Sequence, residues 1–422
     1  KYIKIYKSCK YIYLIHMSKI SLNQSLLYKN GTQFVHDEND TLLNITPHLK
    51  KIGITRIANI THLDRIGIPV FSTIRPIAMK GAISIYSGKG ITESHARISA
   101  IMEGFERAYA EPNGLQTKDK FIDSYEKIQE SHNTINPIHL TLPGKLINNT
   151  NIEWTEGWDL LNKESVFVPS NAVYHPYDSE QSSKLFRSNT NGLAAGNTIE
   201  EAILHGLLEV VERDALSIAE FNRNSGKEII LDNENSINFT LFNKFKNADI
   251  ELRLWLLSHD TDITTVVAST DDLKLKDPAL LVMGAGSHLN PEIAIRRAIT
   301  EVAQSRLVQI HGTREDTDRE KFVRTVGHER MKRLNKIWYK QGETIQSSKL
   351  KDISCNMPFK NIETVLNQIK HISKNVVVIN LSKENIGTFV VRLIIPGFEV
   401  YTVDRERIGM RMRVGNKWKN GV

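Results

Sequence analysis

Two stretches of the chain place apolar residues almost all round a helix, with a few charged positions between them. In "ARISAIMEGFERAYA" Ile98, Ala100, Ile101, Met102, Phe105 and Ala108 leave little polar surface. In "IEEAILHGLLEVVERDA" Ile203, Leu204, Leu207, Leu208, Val210 and Val211 leave even less. At about 100° per residue, Ser99, Glu103, Glu106 and Arg107 fall within one third of the first helix's circumference. Glu209, Glu212 and Arg213 stand in the matching places of the second. A helix that is apolar nearly all round is buried. Buried carboxylates are costly unless paired, hydrogen-bonded or bound to a cation. These charges need a partner.

A third stretch, "PEIAIRRAITEVAQSR", is introduced in the same way as the first two. "SGKGIT" ends in Thr92, "AAGNT" in Thr198 and "GAGSHLN" in Asn290, each a glycine turn closing on a good N-cap residue. Thr198 and Glu201 have capping-box spacing, and Pro291 takes the first helical position. Glu103, Glu209 and Glu301 each stand 11 residues after their cap. In the third helix Gln304 occupies the place of the second glutamate. The equal spacing predicts an internally repeated strand–turn–helix unit.

"GAISIYS" (81–87) and "PALLVMGAG" (278–286) read as strands feeding the first and third helices. "LRLWLLS" and "TTVVAST", within 252–270, read as neighbouring strands. Near the end, a helix around "NIETVLNQIKHI" precedes the strands "NVVVINLS" and "TFVVRLIIPG", an αββ piece. Residues 112–152 are polar, and the charged residues 313–352 are expected to form surface helices. The fold class is α+β, with the acidic faces of the three capped helices turned to one cleft.

Composition narrows the class. The 422 residues are 40% hydrophobic and 24% charged, as in a soluble globular protein. No apolar run approaches the roughly 20 residues of a membrane span. The net charge of +7 and pI near 9.1 suit acidic or polyphosphate ligands. There is no aromatic-and-glycine RNA-binding signature, so no nucleic-acid partner is expected. Cys9 and Cys355 are far apart and form no zinc pattern, which fits a reducing cytoplasm. Residues 1–16 read as an extension upstream of Met17, 17–55 as an N-terminal region and 56–413 as the catalytic domain. The basic tail, 414–422, closes the chain, and the run from Asp404 onward would be ordered only by phosphate or carboxylate contacts.

Two chemistries explain buried glutamates on several helices. A carboxylate-bridged di-metal site needs Glu-x-x-His, and none follows Glu103, Glu209 or Glu301. A nucleotide site fits better. Mg²⁺ takes one or two carboxylates with phosphate oxygens, arginine offers phosphate a planar fork, and helix N-termini offer amides to anions. Yet "SGKG" is not a Walker A loop, and the kinase motifs are absent.

At this point the residues resemble a family. "SGKGIT…ARISAIMEGFERAYAE", "GLAAGNTIEEAILHGLLEVVERDA" and "NPEIAIRRAITEVAQSR" look like the three ATP-binding motifs of the YcaO family. The resemblance runs from about Arg56 to near Arg413. It implies ATP and Mg²⁺ as cofactors and activation of a peptide amide by phosphorylation of its oxygen. It implies that Glu103, Glu106, Glu209, Glu212 and Glu301 hold Mg²⁺. Ser99, Glu106, Arg107, Asn197, Glu201, Gln304 and, less specifically, Lys89 would contact the nucleotide, with Asn197 and Glu201 toward adenosine or ribose. Glu103, Glu209 and Arg213 would carry the catalysis. His205 is either a support for Glu209 or a bystander. Arg306, about 140° around the helix from Glu301, ranks below Gln304.

Within the family, azoline-forming cyclodehydratases commonly end in a proline-rich segment, whereas here no proline follows Pro396. The chain looks closest to the archaeal, methanogen type, which converts a glycine of methyl-coenzyme M reductase to thioglycine. That resemblance implies a cytoplasmic homodimer acting on a peptide or protein. Sulfur would come from external sulfide or a TfuA-like delivery protein. Azoline formation on Cys, Ser or Thr stays open, as does a non-catalytic ATP-binding accessory role.

Overall fold

The computed structural model describes residues 19–29, 33–112, 121–258, 260–312, 318–383 and 386–414. The proposed extension 1–16 and nearly all of the tail 414–422 lie outside the described residues. Helix α1 (Glu38–Ile45) precedes a three-stranded antiparallel sheet of β1 (Arg56–Asn59), β2 (Val70–Ile74) and β3 (Ile85–Lys89), which leads into α2 (Glu93–Ala110). Next come β4 (Phe121–Asp123), β5 (Ile152–Asp159), β6 (Glu164–Pro169) and β7 (Leu193–Gly196), then the long helix α3 (Ile199–Asn222). The second half adds β8 (Lys227–Ile230), α4 (Ile237–Asn247), β9 (Ile250–Leu256), β10 (Thr264–Asp272), β11 (Met283–His288) and α5 (Pro291–His311). It closes with β12 (Thr344–Gln346), α6 (Pro358–Ile369), β13 (Val377–Asn380) and β14 (Phe389–Ile394).

Two larger sheets build the body. One runs β4-β5-β13-β14-β7, with β6 on the other edge of β5; the other runs β11-β10-β9-β8-β12. Alternation along β13 buries both faces of the first sheet. Val377 and Ile379 pack with Ile101 and Phe105 of α2, while Val376 and Val378 join Leu207 and Leu208 of α3 and Val365 of α6. In the second sheet Leu252, Leu254 and Val266 face Ile295, Ala298 and Ile299 of α5. Trp255 and Val267 of its opposite face meet Ala215, Leu216 and Ala219. Helix α3 is therefore shared. Its first half packs on one sheet and its second half on the other, so residues 205–213 lie at the junction.

All three caps form. Thr92 accepts from His95 N (3.1 Å), Thr198 from Glu201 N (3.2 Å), and Asn290 from the amides of Glu292 (2.9 Å) and Ile293 (3.3 Å). The strands before them let the helices approach closely. A Cβ at Gly88 would lie 1.9 Å from the Ala100 nitrogen, and one at Gly196 2.5 Å from that of Ala202.

Some boundaries differ from the sequence reading. The first feeding strand starts at Ile85, because Lys80–Ala82 lie in a turn region closed by Ala82 N on Met79 O (2.9 Å). In the third, Pro278–Leu280 form a 3-10 turn capped by Asp277, which delays β11 to Met283. The charged region holds the short helices Asp318–Val326 and His328–Leu334, but also β12, which joins β8 in parallel. The segment before the tail is held by more than carboxylates. Arg411 does pair with Asp214 and with Asp260 (2.7 Å). Arg407, however, donates to the backbone carbonyls of Thr141 (2.9 Å) and Leu140 (2.5 Å) and lies over the Phe186 ring.

Candidate active site

The acidic positions of the three helices meet the strands in a ring. Glu106, Glu212 and Gln304 each stand 14 residues after their cap. Glu106 of α2 accepts from Ala195 N of β7 (2.8 Å), and Glu212 of α3 accepts from Ser287 N of β11 (3.1 Å). Gln304 of α5 donates to the carbonyl of Ser87 in β3. Each helix thus grips the strand that precedes the next helix, and the last grips the first.

The positions 11 after the caps face inward from this ring and behave differently from one another. Glu103 pairs with Arg107 (2.8 Å) one turn on and accepts from Ser87 N (3.3 Å). Glu301 pairs with Lys89 at 2.5 Å. Glu209 makes no hydrogen bond or ion pair among the described residues, although its charge interacts with Arg213, Arg107 and Arg392. Arg213 sits 3.8 Å from Glu212. Ser99 is half-buried with no side-chain hydrogen bond among the described residues.

Electrostatics follows burial. Desolvation raises the Glu106 carboxyl to about 8, against the opposing pull of Arg107. It raises Glu212 to about 7, helped by Glu301, and raises Glu209 as well. Like-charge repulsion adds to these shifts but ranks below burial in each. Glu301 goes the other way: Lys89 and Arg213 outweigh its burial and hold it low. Burial and the charges of Arg297 and Lys89 push His205 down to about 3, so it is neutral.

Asn197 and Glu201 are already engaged. Glu201 accepts from Val35 N (2.5 Å), Asn197 N (2.9 Å) and Asn197 Nδ2 (3.0 Å), and Asn197 Oδ1 accepts from Thr41 (3.0 Å). They pin the segment before α1 to the start of α3. Arg306 belongs elsewhere, in a buried network with Asp64 and Asp272.

The sequence reading missed several groups at the site. Arg297 stands one turn before Glu301 and acts on Glu212, Glu301 and His205, a spacing legible from helical periodicity. Arg392 comes from the middle of β14, where a single arginine in an otherwise apolar buried run was the available signal. His175 and Arg187 arrive from the loops after β6, and nothing in their spacing announced them.

A nucleotide with Mg²⁺ matches this donor set. Arg107 Nε and Arg392 Nε and Nη1 are buried without a partner among the described residues, and Glu209 offers an uncommitted carboxylate. Cation-seeking and anion-seeking groups thus stand side by side. Among the described residues, no three His, Cys, Asp or Glu side chains stand together in metal-ligand geometry. The glutamates are drawn instead to Arg107, Lys89 and backbone amides.

Comparison with known proteins identifies the family. Residues 87–399 match the family model described as "YcaO cyclodehydratase, ATP-ad Mg2+-binding". The chain is 48% identical over 378 residues to an uncharacterized protein of Methanothermobacter thermautotrophicus, covering 89% of this chain and 97% of that one. It is 30% identical over 397 residues to an uncharacterized protein in the tfuA 3′ region of Rhizobium leguminosarum bv. trifolii, covering 89% and 90%. The solved YcaO from Methanopyrus kandleri, bound with AMPPCP and Mg²⁺, superposes with a TM-score of 0.75 at 28% identity, covering 91% of this chain and 98% of that one. A heterocyclase in complex with substrate and cofactor shares the fold, with a TM-score of 0.79 at 21% identity over 95% of this chain and 57% of its own. The protein belongs to the YcaO family of ATP-dependent peptide-modifying enzymes. No helix among the described residues is long and apolar enough to cross a membrane.

Proposed function

We propose that the chain is an ATP-dependent thioamide synthetase that replaces a backbone amide oxygen of a peptide by sulfur, its target a glycine of methyl-coenzyme M reductase. The observation that carries the nucleotide half of this reading is the free carboxylate of Glu209 flanked by the arginines 107 and 213. The AMPPCP- and Mg²⁺-bound Methanopyrus kandleri structure supports the same half. The kinship with proteins from two methanogens supports the choice of target.

In this reading Glu103, Glu106, Glu209, Glu212 and Glu301 hold Mg²⁺, while Arg107, Arg213 and Lys89 neutralise phosphate oxygens. Ser99 and Gln304 line the same nucleotide. Asn197 and Glu201 fix the wall nearest adenosine through the segment before α1. Bound ATP-Mg²⁺ supplies the phosphoryl group that turns the amide oxygen into a leaving group. Burial keeps Glu106 and Glu212 partly protonated near neutral pH, and a bound cation would favour their carboxylate forms. Neutral His205, held by the Ala195 backbone, adds no charge to the site.

Sulfur comes from outside the chain, as sulfide or from a TfuA-like partner. The Rhizobium relative in a tfuA 3′ region supports the latter. The enzyme works as a cytoplasmic homodimer.

The test incubates the protein with ATP-Mg²⁺, sulfide and a glycine-containing peptide, read by mass spectrometry. A mass gain matching exchange of oxygen for sulfur is expected. Loss of one water would instead establish azoline formation, the reading favoured by the word "cyclodehydratase" in the family description. ATP binding without any peptide product, even with a sulfur-delivery partner, would establish an accessory role.

A further inference from the structure

Lys383 lies outside the three helix motifs, in the connection between β13 and β14. The base of that connection is closed. Leu381 N donates to Val390 O (2.8 Å), Ser382 Oγ donates to the same carbonyl (3.2 Å), and Val390 N donates to Ser382 Oγ (2.9 Å). A fixed backbone thus carries Lys383 against the C-terminal turn of α2. Its Nζ stands 4.9 Å from the centre of the Tyr109 ring.

The amine is badly placed as a cation. The side chain is half-buried, yet Nζ itself is buried and has no hydrogen-bond partner among the described residues. The charged groups that act on it are Lys51 from the loop before β1, Arg75 just after β2 and Glu111 just after α2. Glu111 is already committed. It accepts from Nη1 and Nη2 of Arg75 (2.6 Å each) and from Met79 N (2.8 Å). With Lys383 protonated, three cations share one acid. Burial, followed by Lys51 and Arg75, lowers the ammonium to about 8, which leaves a fraction of neutral amine at neutral pH. A second polar atom stands unmatched beside it. The Tyr109 hydroxyl is buried with no partner among the described residues, and burial raises it, so it keeps its proton as a donor.

An orphaned amine and an orphaned hydroxyl, in surroundings short of negative charge, are matched by an acceptor that brings that charge with it. We propose that Lys383 is a carbamate site: its neutral Nζ takes up carbon dioxide, and the Tyr109 hydroxyl donates to the carbamate. The nitrogen lone pair forms the bond to carbon, one carbon–oxygen π pair moves onto oxygen, and the proton displaced from nitrogen goes to water. Lys51 and Arg75 then face Glu111 and the carbamate, two charges against two. A free anion balances the site less well, because the ammonium stays buried and one cation is left over. The modified side chain ties the β13–β14 connection to α2, the helix that carries Glu103 and Glu106. This modification is independent of the reaction proposed for the cleft.

The test equilibrates the full-length protein with carbon-labelled bicarbonate at about pH 8. The carbamate carbon is read by NMR, then trapped by O-alkylation and located by peptide mass spectrometry. Trapping is expected on Lys383, with occupancy falling below about pH 7 as the amine is protonated. Lys383→Met and Lys383→Arg should both lose the signal. Tyr109→Phe should weaken uptake roughly tenfold, the scale of a hydrogen bond to a charged group. In thermal unfolding, bicarbonate should raise the melting temperature of wild type but not of Lys383→Met, with chloride at equal ionic strength as the control. A carbamate absent from Lys383, or no more abundant there than on the exposed Lys50, overturns the proposal. So does chloride stabilising wild type as much as bicarbonate, which would mark a simple anion site. Should Lys383→Met fail to fold, trapping on wild type still decides the matter.

Discussion

Helix α5 carries two buried charge clusters within a few residues of each other, and they are built on opposite terms. Toward its C-terminus, Arg306 is fully buried between Asp64 and Asp272 (2.8 and 3.0 Å), and Arg65 adds a second bond to Asp272 (2.8 Å). Two cations meet two acids. The two arginines overcome burial and hold Asp272 down to about 2. One turn earlier, Glu301 belongs to a cluster in which Glu106, Glu209 and Glu212 are all pushed up by burial. There, one carboxylate and several arginine N–H groups are uncommitted among the described residues. The balanced cluster closes the fold. The unbalanced one, held open at a cost, is where a ligand completes the set.

Breaking the balanced cluster should give the largest effect. Arg306→Met strands buried Asp64, leaves Asp272 with Arg65 alone, and is expected to cost about 3–5 kcal/mol of stability, measured by denaturant unfolding. Activity should fall only with the folded fraction. An unchanged midpoint would show that the contrast between the clusters is false.

In the other cluster the outcome reverses. Glu209→Gln should lower ATP-dependent product formation roughly 10² to 10³-fold, as for loss of an electrostatic element in phosphoryl transfer. Its melting temperature should hold or rise, since no ion pair is broken. A stable, fully active variant would remove Glu209 from the proposed chemistry.

A smaller, sharper contrast lies in pH. The folded-state pKa values of Glu106 and Glu212 lie above those of the unfolded chain. The native state therefore holds extra protons, and stability is lost as pH rises toward 8. The buried histidines His175, His205 and His288 are depressed, so their contribution is lost as pH falls below about 6.5. Between about pH 7 and 7.5 the two glutamates outweigh the residual histidine effect and the opposing effect of Lys383, which burial lowers to about 8, and the melting temperature of the nucleotide-free protein should decline. Saturating ATP-Mg²⁺ should flatten that decline. Asp272 should not contribute until pH falls below about 4.

The smallest effect belongs to the scaffold shared by both clusters. Thr198→Ala removes the bond to Glu201 N and should cost about 1 kcal/mol, with kcat reduced little.

Much of this was legible locally. Thr92, Thr198 and Asn290 announce their helices because a cap, its glycine turn and its apolar periodicity all lie within a few residues. The positions 11 and 14 beyond each cap follow from the same arithmetic. The partners of those positions were not legible. Lys89 reaches Glu301 across 212 residues, and Glu201 is satisfied by Val35 across 166. Arg392 depends on strand pairings that bring β14 between β7 and β13. A sequence shows which side chains need partners; only the closed fold shows which have found them.

The ring of helix-to-strand grips has a consequence for how the chain is made. Its first strand is locked by its last helix: Ser87 waits for Gln304, 217 residues later. At about 5–20 residues per second, the ribosome needs roughly 10–40 s to deliver that glutamine. Throughout that interval the early sheet and α2 have emerged, yet the contact that closes them is still unsynthesised. The nascent chain must carry the acidic face of α2 unfinished until synthesis has passed α5.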